Sequence, residues 1–421
     1  MSWLQRFRIR SFLRNTVWFP PLLGMLGAIL IHKLVRMIDL AVGWEASVSS
    51  EGARALLGTM SASMFTFIVF VFSILLLSVQ LASAQLTPRI IALFYRNPVL
   101  KFSLTVFVFT FTFSLAVLFR IGDSVMQISL WIAVYSCLAS IGFFLYMIDN
   151  VGKSLRPISL LNLLGGKGQE VIMDVFPKPF TGKEDKVASI SETEDRTTLR
   201  IIKTRETGVV MAFDLAGLVE LGRRANCVIE LVPQVGDFIT CGDPLFRLYR
   251  GGESIADHQL QHAVAIGQER TMEQDPGFAF RIIVDIAAKA LSPAVNDPTT
   301  AVLALDQIHR LLRMVAMRQL ATGQAYDNTG QLRLIFRTPD WDNFLTLAIT
   351  EIRQYGKDSL QVVRRIRAML EDLIKIVPQQ RAESVRAQLD VLIRSNDREF
   401  YHPEDRVRAN SADSLGMGGS R

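Results

Sequence analysis

Cysteine is scarce in this sequence, and the residue patterns of common enzymes are missing. The 421 residues include three cysteines, Cys137, Cys227 and Cys241, which do not suggest a disulfide framework. There is no phosphate-binding loop, nucleophile elbow or Cys-x-x-Cys pair, and the scattered arginines form no nucleic-acid motif. His258 and His262 are four residues apart, but without a further ligand they indicate a solvated helix face. We therefore expect no enzyme, metal, cofactor or nucleic-acid partner.

Lysine is missing between Thr204 and Lys289. This stretch contains "VPQVGDFITCGDPLFRLY", which resembles the strand-turn-strand of biotinyl and lipoyl half-barrels. Such carrier domains bear a lysine in this region, so the absence of lysine excludes carrier function. We predict that residues 201–254 form a small β unit that serves as an adaptor or scaffold.

Apolar residues make up 50% of the chain and are concentrated in its first 150 residues. A helix needs roughly 20 apolar residues to cross the hydrocarbon of a bilayer. Four segments come close to this length: 17–39, 56–84, 102–119 and 126–148. The pattern predicts a membrane protein with four transmembrane helices, and no convincing cleavable signal precedes them.

Basic residues in the short loops predict the orientation of these spans. The basic residues at the N-terminus, after the second span and after the fourth are Arg6, Arg8, Arg10, Arg14, Arg89, Arg96, Lys101, Lys153 and Arg156. The opposite loops hold Glu45, Glu51 and Asp123 against Arg54 and Arg120. We therefore expect a multi-pass protein of the bacterial cytoplasmic (inner) membrane, with both termini in the cytoplasm.

The second span carries polar residues along one helix face although it has no charge. These residues are Thr59, Ser63, Thr66, Ser73 and Gln80, with gaps of four, three, seven and seven. Small hydroxyl residues in lipid usually mark a contact between helices, where they allow close approach. Alternatively, several copies of the helix meet around an axis, and the stripe lines a pore or substrate path.

The chain after residue 150 is read as a cytoplasmic α+β domain. Short β-branched runs fill the predicted small β unit, and helical spacing dominates the rest apart from the strand "LRLIFRTP". The predicted segments are a basic N-terminal arm (1–16), a four-helix transmembrane domain (17–150), a connector with a polar loop (151–200), the half-barrel-like β unit (201–254), a helical cytoplasmic domain (255–400) and a disordered tail (401–421).

The run "ALSPAVNDPTTA", residues 290–301, interrupts two helical stretches. Pro293 and Pro298 each disfavour helix at the preceding residue, Asp297 suits a helix N-cap, and Asn296 tolerates a left-handed backbone. The run is therefore explained as a helix stop, a turn and a helix start. The alternative is a ligand site at a helix N-terminus. Its candidate residues are Ser292, Asn296, Asp297 and Thr299, joined by Glu269, Arg270, Glu273 and Asp275 from the preceding predicted helix.

Three stretches together resemble a family of predicted bacterial inner-membrane proteins that is grouped only as a domain of unknown function. They are "SASMFTFIVFVFSILLLSVQLASAQLTPRII", "GVVMAFDLAGLVELGRRANCVIELVPQVGDFITCGDPL" and "RTMEQDPGFAFRIIVDIAAKALSPAVNDPTTA", the last with an ALSPxxNDPxTA signature. The resemblance extends from about residue 15 to about residue 395. It implies four spans and a cytoplasmic domain, and it transfers no activity.

Two functions remain open at this point. The first is an oligomeric channel or transport protein, gated by its cytoplasmic domain and lined by the second span. The second is a membrane-anchored sensor or scaffold that binds a ligand or partner without transport. A membrane-bound enzyme has the least support, because no set of acid, base and nucleophile can be assembled.

Overall fold

The structure is a computed structural model that describes residues 2–44, 46–91, 96–122, 125–154, 156–182 and 198–411. The chain divides into two compact units. One, which we call the helical unit, comprises residues 10–159. The other, which we call the mixed unit, comprises residues 1–9 and 160–421.

Four long helices, α2 to α5, lie wholly within the helical unit. The helices of the N-terminal part of the chain are α1 (Trp3–Asn15), α2 (Phe19–Val42), α3 (Ser50–Gln85), α4 (Pro98–Leu118), α5 (Gln127–Ser154) and α6 (Pro157–Val175). Local chemistry fixes some of their ends: Asn97 accepts a hydrogen bond from the Val99 amide at 2.9 Å, and Pro98 occupies the first turn of α4.

Three helices among the described residues are long and apolar enough to cross a membrane. They are Ser50–Leu81 within α3, Pro98–Leu118 and Gln127–Ser154. The first predicted span corresponds to α2, which forms the expected helix but contains His32, Lys33, Arg36 and Asp39. These polar residues shorten its apolar stretch, so the prediction of four membrane-spanning helices is met for three of them.

Helices α2 and α4 lie side by side and run in the same direction. A Cβ atom on Gly24 would lie 2.8 Å from the Thr105 carbonyl oxygen, so glycine is what allows this approach. About two turns further along both helices, the rings of His32 and Phe113 are 5.8 Å apart. Both contacts join positions that are 81 residues apart in the chain. Because residue numbers increase together along both helices and differ by the same amount at both contacts, the two helices are parallel and lie at the same level.

The mixed unit contains two sheets and a group of helices. Its strands are β1 (Thr198–Lys203), β2 (Gly208–Phe213), β3 (Val228–Leu231), β4 (Phe238–Ile239), β5 (Pro244–Tyr249), β6 (Val264–Gly267), β7 (Gln324–Tyr326) and β8 (Leu332–Phe336). Its further helices are α7 (Leu215–Arg224), α8 (Asp257–Gln261), α9 (Pro276–Ala290), α10 (Pro298–Ala316), α11 (Trp341–Tyr355), α12 (Leu360–Ile376), α13 (Gln379–Glu399) and α14 (Pro403–Ala409).

Strand pairing crosses the boundary that the sequence predicts at residue 254, between a β unit and a helical domain. The larger sheet has the order β1-β5-β3-β8-β7, in which β3 and β8 pair in parallel, and the smaller has the order β4-β2-β6. The strand prediction for "LRLIFRTP" is confirmed by β8. The helical prediction for 264–267 is wrong, because this run forms β6 against β2, with Ile266 opposite Val210. Four residues are too few for a period to distinguish strand from helix, and the pairing partner decides.

Helix α9 lies in the middle of the mixed unit. Its buried residues cover most of its circumference and include Phe280, Ile283 and Ala287, while Arg281, Asp285 and Lys289 form a less buried face. A helix with so wide an apolar surface needs neighbours on several sides. It therefore packs against α10 and α11 and holds its two ends, at Asp275 and Leu291, in fixed positions.

Both ends of the chain contribute helices to the mixed unit. Leu4 is buried against Ala212 and Ala265, and Arg8 pairs with Glu206 at 3.2 Å. Residues 403–409 of the predicted disordered tail form α14, whose Ala409 is fully buried. That part of the tail prediction is wrong because tertiary packing stabilises a short helix. Residues 412–421, and residues 183–197 of the predicted connector with its polar loop, lie outside the described residues.

Candidate functional site

The polar stripe of the second predicted span lies on the outer face of α3. Thr59, Thr66, Ser73 and Gln80 are exposed and Ser63 is half-buried. The opposite face of the helix carries the buried residues Leu57, Met64, Val71 and Leu75. The stripe is thus brought together as the spacing predicts, but it faces away from the other described helices of its own unit.

The hydroxyl groups of the stripe bond to their own helix. The side chains of Thr59, Ser63, Thr66 and Ser73 donate to the carbonyl oxygens four residues earlier, at 2.9 to 3.0 Å. This arrangement satisfies the hydroxyl donors in an apolar environment and leaves their oxygen lone pairs directed outward. The stripe can therefore lie against a neighbouring helix or accept weak hydrogen bonds from a solute.

A second set of polar side chains lies inside the helical unit, where the stripe does not reach. Asp39 is fully buried and accepts hydrogen bonds from the amides of Ile128 and Ser129, both at 3.0 Å, and from the Ser129 hydroxyl. These donors belong to the first turn of α5, whose unpaired amides favour a carboxylate. Asp39 of α2 therefore caps a helix distant in sequence.

His32 lies two turns before Asp39 on the same buried face of α2. Its side chain is 6% exposed and its ring packs edge-on against Phe113 of α4. Sequence reasoning singled out the polar stripe and gave His32 no role. The four-, four-, three- and four-residue spacing of Gly24, Ala28, His32, Val35 and Asp39 would have placed it on the packed face.

The turn at 290–301 adopts the predicted stop, turn and start. The Asp297 carboxylate accepts from the Thr300 amide at 3.0 Å and from the Thr300 hydroxyl, and Pro298 follows in the first turn of α10. Asn296 has φ 49°, in the left-handed region. Ser292 donates its hydroxyl to the Lys289 carbonyl at 2.7 Å, and Thr299 is exposed. Capping and turn preferences account for these contacts.

The residues at 269–275 do not join that turn. They form a loop rather than the predicted helix, and Asp275 caps the beginning of α9 while the turn follows its end. The 15 residues of α9 separate the two by about 22 Å, at 1.5 Å per residue. The candidate residues therefore form two separate groups.

Arg270 and Asp275 form a tight pair within the loop. The Arg270 Nε lies 2.5 Å from the Asp275 carboxylate, and its guanidinium lies over the Phe278 ring. Burial raises the pKa of Asp275, and the hydrogen bonds from Arg270 act in the opposite direction. Gly236, with φ +97°, packs directly on this pair, since a Cβ atom there would lie 2.6 Å from the Arg270 Nε. Glu269 is exposed and stands apart.

A cavity of about 410 Å³ opens beside this loop. Phe176, Phe213 and Phe336 line it, as do three carboxylates, Asp174, Glu273 and Asp275, and one guanidinium, Arg337. Gln274 fixes the loop against the end of β2 through two hydrogen bonds with the Phe213 backbone, at 3.0 and 3.1 Å. Apolar walls with a few polar groups are typical of small-molecule sites. Asp275 is paired with Arg270, so Asp174 and Glu273 against Arg337 give the lining a small negative excess that favours a cation.

An open groove on α10 is lined by basic residues and His309. The His309 Nε2 lies 2.8 Å from Asp372, and Arg365 lies 3.1 Å from its Nδ1. These contacts match a neutral ring that donates to Asp372 and accepts from Arg365. Burial and the charge of Arg365 lower the pKa of His309, and Asp372 opposes the shift. Within the described part of the chain, no group of three or more His, Cys, Asp or Glu side chains could hold a metal ion.

Comparison with known proteins gives a family and no activity. A family model described as "Predicted membrane protein (DUF2254)" matches residues 14–372. Uncharacterized proteins of Mycobacterium tuberculosis and Mycobacterium bovis are each 27% identical over 422 residues, covering 96% of this chain and 80% of theirs. No solved structure matches. The resemblance noted in the sequence is confirmed: the chain belongs to this family of predicted membrane proteins of unknown function.

Proposed function

We propose that the protein crosses the bacterial cytoplasmic membrane four times, with α2 as the first span. Helix α2 lies parallel to α4 and at the same level, so a membrane that covers Pro98–Leu118 also covers most of α2. Leu23, Leu26, Leu30 and Leu34 are exposed on its outer face, where lipid would contact them.

The packing of the N-terminus also supports four membrane crossings. Residues 1–9 belong to the mixed unit, which otherwise begins at residue 160. Because both ends of the intervening chain then lie on one side of the membrane, it crosses an even number of times. Three crossings would separate Leu4 from Ala212 and Ala265, against which it is buried. The basic N-terminal arm and the loop with Arg89, Arg96 and Lys101 favour the cytoplasm for that side.

The best-supported activity is that of an oligomeric channel or transport protein gated by its cytoplasmic mixed unit. The observation that carries it is the polar stripe on α3, which no other described helix of its unit covers. Helix contacts in lipid are enriched in such small hydroxyl residues. Copies of α3 that meet around an axis would cover the stripe and provide a polar path.

Disulfide cross-linking tests the assembly. In full-length protein whose native cysteines are replaced by serine, Thr66→Cys should form covalent oligomers in bilayer nanodiscs under mild oxidation. Phe72→Cys is the matched control, because Phe72 is 47% exposed but lies about 120° around the helix. Equal cross-linking at both positions would remove the stripe from the interface.

Flux measurements test the activity. Proteoliposomes should release K⁺, Na⁺ or Cl⁻ faster than empty vesicles, and Thr66→Phe should reduce this release at least tenfold by filling the path. Phe72→Leu, on the flank of the helix, should leave the release unchanged. Protein that is oligomeric yet passes none of these ions under any voltage or tension would contradict the channel.

The second candidate is a membrane-anchored ligand sensor without transport, and the cavity of about 410 Å³ favours it. Its three carboxylates, one guanidinium and aromatic walls suit an organic cation with an apolar body. Benzylamine should raise the melting temperature of the full-length protein more than benzyl alcohol, which lacks the charge. Asp174→Lys at the exposed rim should abolish this difference, and Asp342→Lys, an exposed residue on α11, should preserve it. No difference in the wild-type protein would exclude this ligand class.

A further inference from the structure

Among the described residues of the helical unit, one buried ionisable side chain lacks a hydrogen-bond partner. Both ring nitrogens of His32 are buried, and neither has a hydrogen-bond partner among the residues that the structure describes. An imidazole always carries at least one donor, and in its neutral form one acceptor, so its burial without partners is unfavourable. Packing alone would be served better by an apolar side chain, because Phe113 is the ring against it.

Other polar groups line the same interior. The hydroxyls of Ser61 and Ser114 are buried without partners among the described residues, and those of Thr110 and Ser140 lie 3.0 Å apart. These residues come from α3, α4 and α5, and His32 comes from α2. The inward faces of all four helices thus contribute polar atoms, whereas Asp39 is fully engaged in capping α5.

His32 lies inside α2 and not at either of its ends. It is 13 residues from the beginning of α2 and 10 from its end, and it is level with Phe113, five residues or about 8 Å along the axis before the end of α4. Ionisable residues within a membrane span are rare, face the interior of the helix bundle, and mark ion pathways and proton relays.

Among the described residues, few charges act on His32. Asp39 on its own helix attracts a positive charge on the ring, and Arg120, just beyond the end of α4, repels it. Lys33 and Arg36 are exposed on the outer face of α2. Arg54, at the beginning of α3, donates to the Ile121 carbonyl at 2.9 Å. Asp39 is the carboxylate that shares the buried face of α2 with His32.

We propose that His32 is an intramembrane proton-binding site. A proton from the aqueous phase binds the lone pair of one ring nitrogen, and the imidazolium so formed is balanced by the Asp39 carboxylate on the same helix face. The proton fits better than a metal ion, because within the described part of the chain no three metal-ligating side chains meet. Imidazole is also the side chain whose ordinary pKa lies between pH 5 and 8. The site lies within a single chain and goes beyond the channel proposal.

Nitrogen NMR of the full-length protein in lipid bilayers tests the site directly. With ¹⁵N-labelled histidine, the signal among the five histidines that is missing in His32→Gln should change from the neutral to the cationic pattern between pH 8 and pH 5 in the wild-type protein. His258→Gln, which removes an exposed histidine, should leave that signal in place. If the His32 signal keeps the neutral pattern throughout this range, the residue binds no proton and the proposal is overturned.

The assignment does not depend on the variant. If His32→Gln fails to fold, transfer from ¹³C-labelled phenylalanine identifies the signal in the wild-type protein, since the Phe113 ring lies 5.8 Å from that of His32. The measurement needs no transported solute. A negative flux result therefore does not affect the proposal for His32, and a negative NMR result does not affect the channel proposal.

Discussion

The two units treat their buried ionisable side chains differently. Among the described residues of the mixed unit every buried charged side chain has a partner: Glu230 bonds to Tyr249, Asp275 to Arg270, Arg333 to Asp327, and Arg381 to three carbonyl oxygens. The polar atoms that the described part of the mixed unit buries without a partner, such as the Thr271 hydroxyl and the Arg353 Nε, belong to less buried side chains. In the helical unit Asp39 is equally well bonded, but His32, Ser61, Ser103 and Ser114 have no partner among the described residues.

The difference indicates where function is concentrated. A buried charge without a partner is strongly unfavourable, so the mixed unit uses its charges to hold elements together. In lipid, polar residues that do not hold helices together are retained mainly for a pathway or an ion. Unpartnered groups in the helical unit are therefore better candidates for activity than the bonded charges of the mixed unit. The following predictions test this contrast, from the largest effect to the smallest.

Arg381→Ala should have the largest effect on stability. The Arg381 Nη1 lies 2.7 to 3.1 Å from the carbonyls of Val315, Ala316 and Arg318, and the guanidinium lies 4.5 Å from the Phe180 ring. Its loss leaves three carbonyl oxygens at the end of α10 without their donor, and we expect the free energy of unfolding to fall by about 4 kcal/mol. Denaturant unfolding of the full-length protein measures it, with the exposed Arg386→Ala on the same helix as control. A loss of unfolding free energy no larger than that of Arg386→Ala would contradict the contrast between the two units.

Asp39→Ala should be nearly as severe. The substitution leaves two amides and one hydroxyl at the beginning of α5 without their acceptor, which costs about 3 kcal/mol for buried groups. The same unfolding measurement applies, with Met37→Ala, 69% exposed on α2, as the comparison. Asp39→Asn keeps one acceptor oxygen and should recover part of the loss. If Asn and Ala are equally destabilising, capping is not the role of this carboxylate.

Asp297→Ala should be milder, because it removes one helix cap in the mixed unit. The Thr300 amide loses its acceptor at 3.0 Å, and we expect a decrease of about 1 kcal/mol. Thr299→Ala, at an exposed neighbouring position, should change the unfolding free energy little. Ligand-induced stabilisation that disappears in Asp297→Ala would instead indicate that the turn is a binding site.

His309 should give the mixed unit a small dependence on pH. The pKa of His309 is lowered from its ordinary value of 6.5, by burial and then by Arg365, so the unfolded chain binds protons more readily. The stability that the neutral ring contributes is present above pH 6.5 and is lost as the pH falls below it. Melting curves between pH 5 and 8 should show a steeper decline for the wild-type protein than for His309→Gln. Parallel curves would contradict the assignment, and the exposed His258→Gln serves as control.

Much of the architecture could be predicted from local patterns. The long apolar runs of α3, α4 and α5 are unambiguous because a membrane span needs only length and hydrophobicity. The Asp-Pro pair at 297–298 correctly indicates a helix start, since capping acts within four residues. The same pair at 275–276 begins α9, although Asp275 is predicted from the sequence to lie inside a helix. The arrangement of the candidate sites could not be predicted this way. Spacing placed Thr66 and Ser73 on one face of α3 but did not indicate which way that face points.

Composition and neighbouring residues suffice to predict the three helices that are long and apolar enough to cross a membrane, the end of α9 and the beginning of α10. Tertiary structure decided that β6 is a strand, that Asp275 and Asp297 are separated by the length of α9, and that His32 and Asp39 face the interior while the α3 stripe faces outward. These features depend on which distant element supplies a hydrogen-bond partner or a packing surface, and no local pattern contains that information.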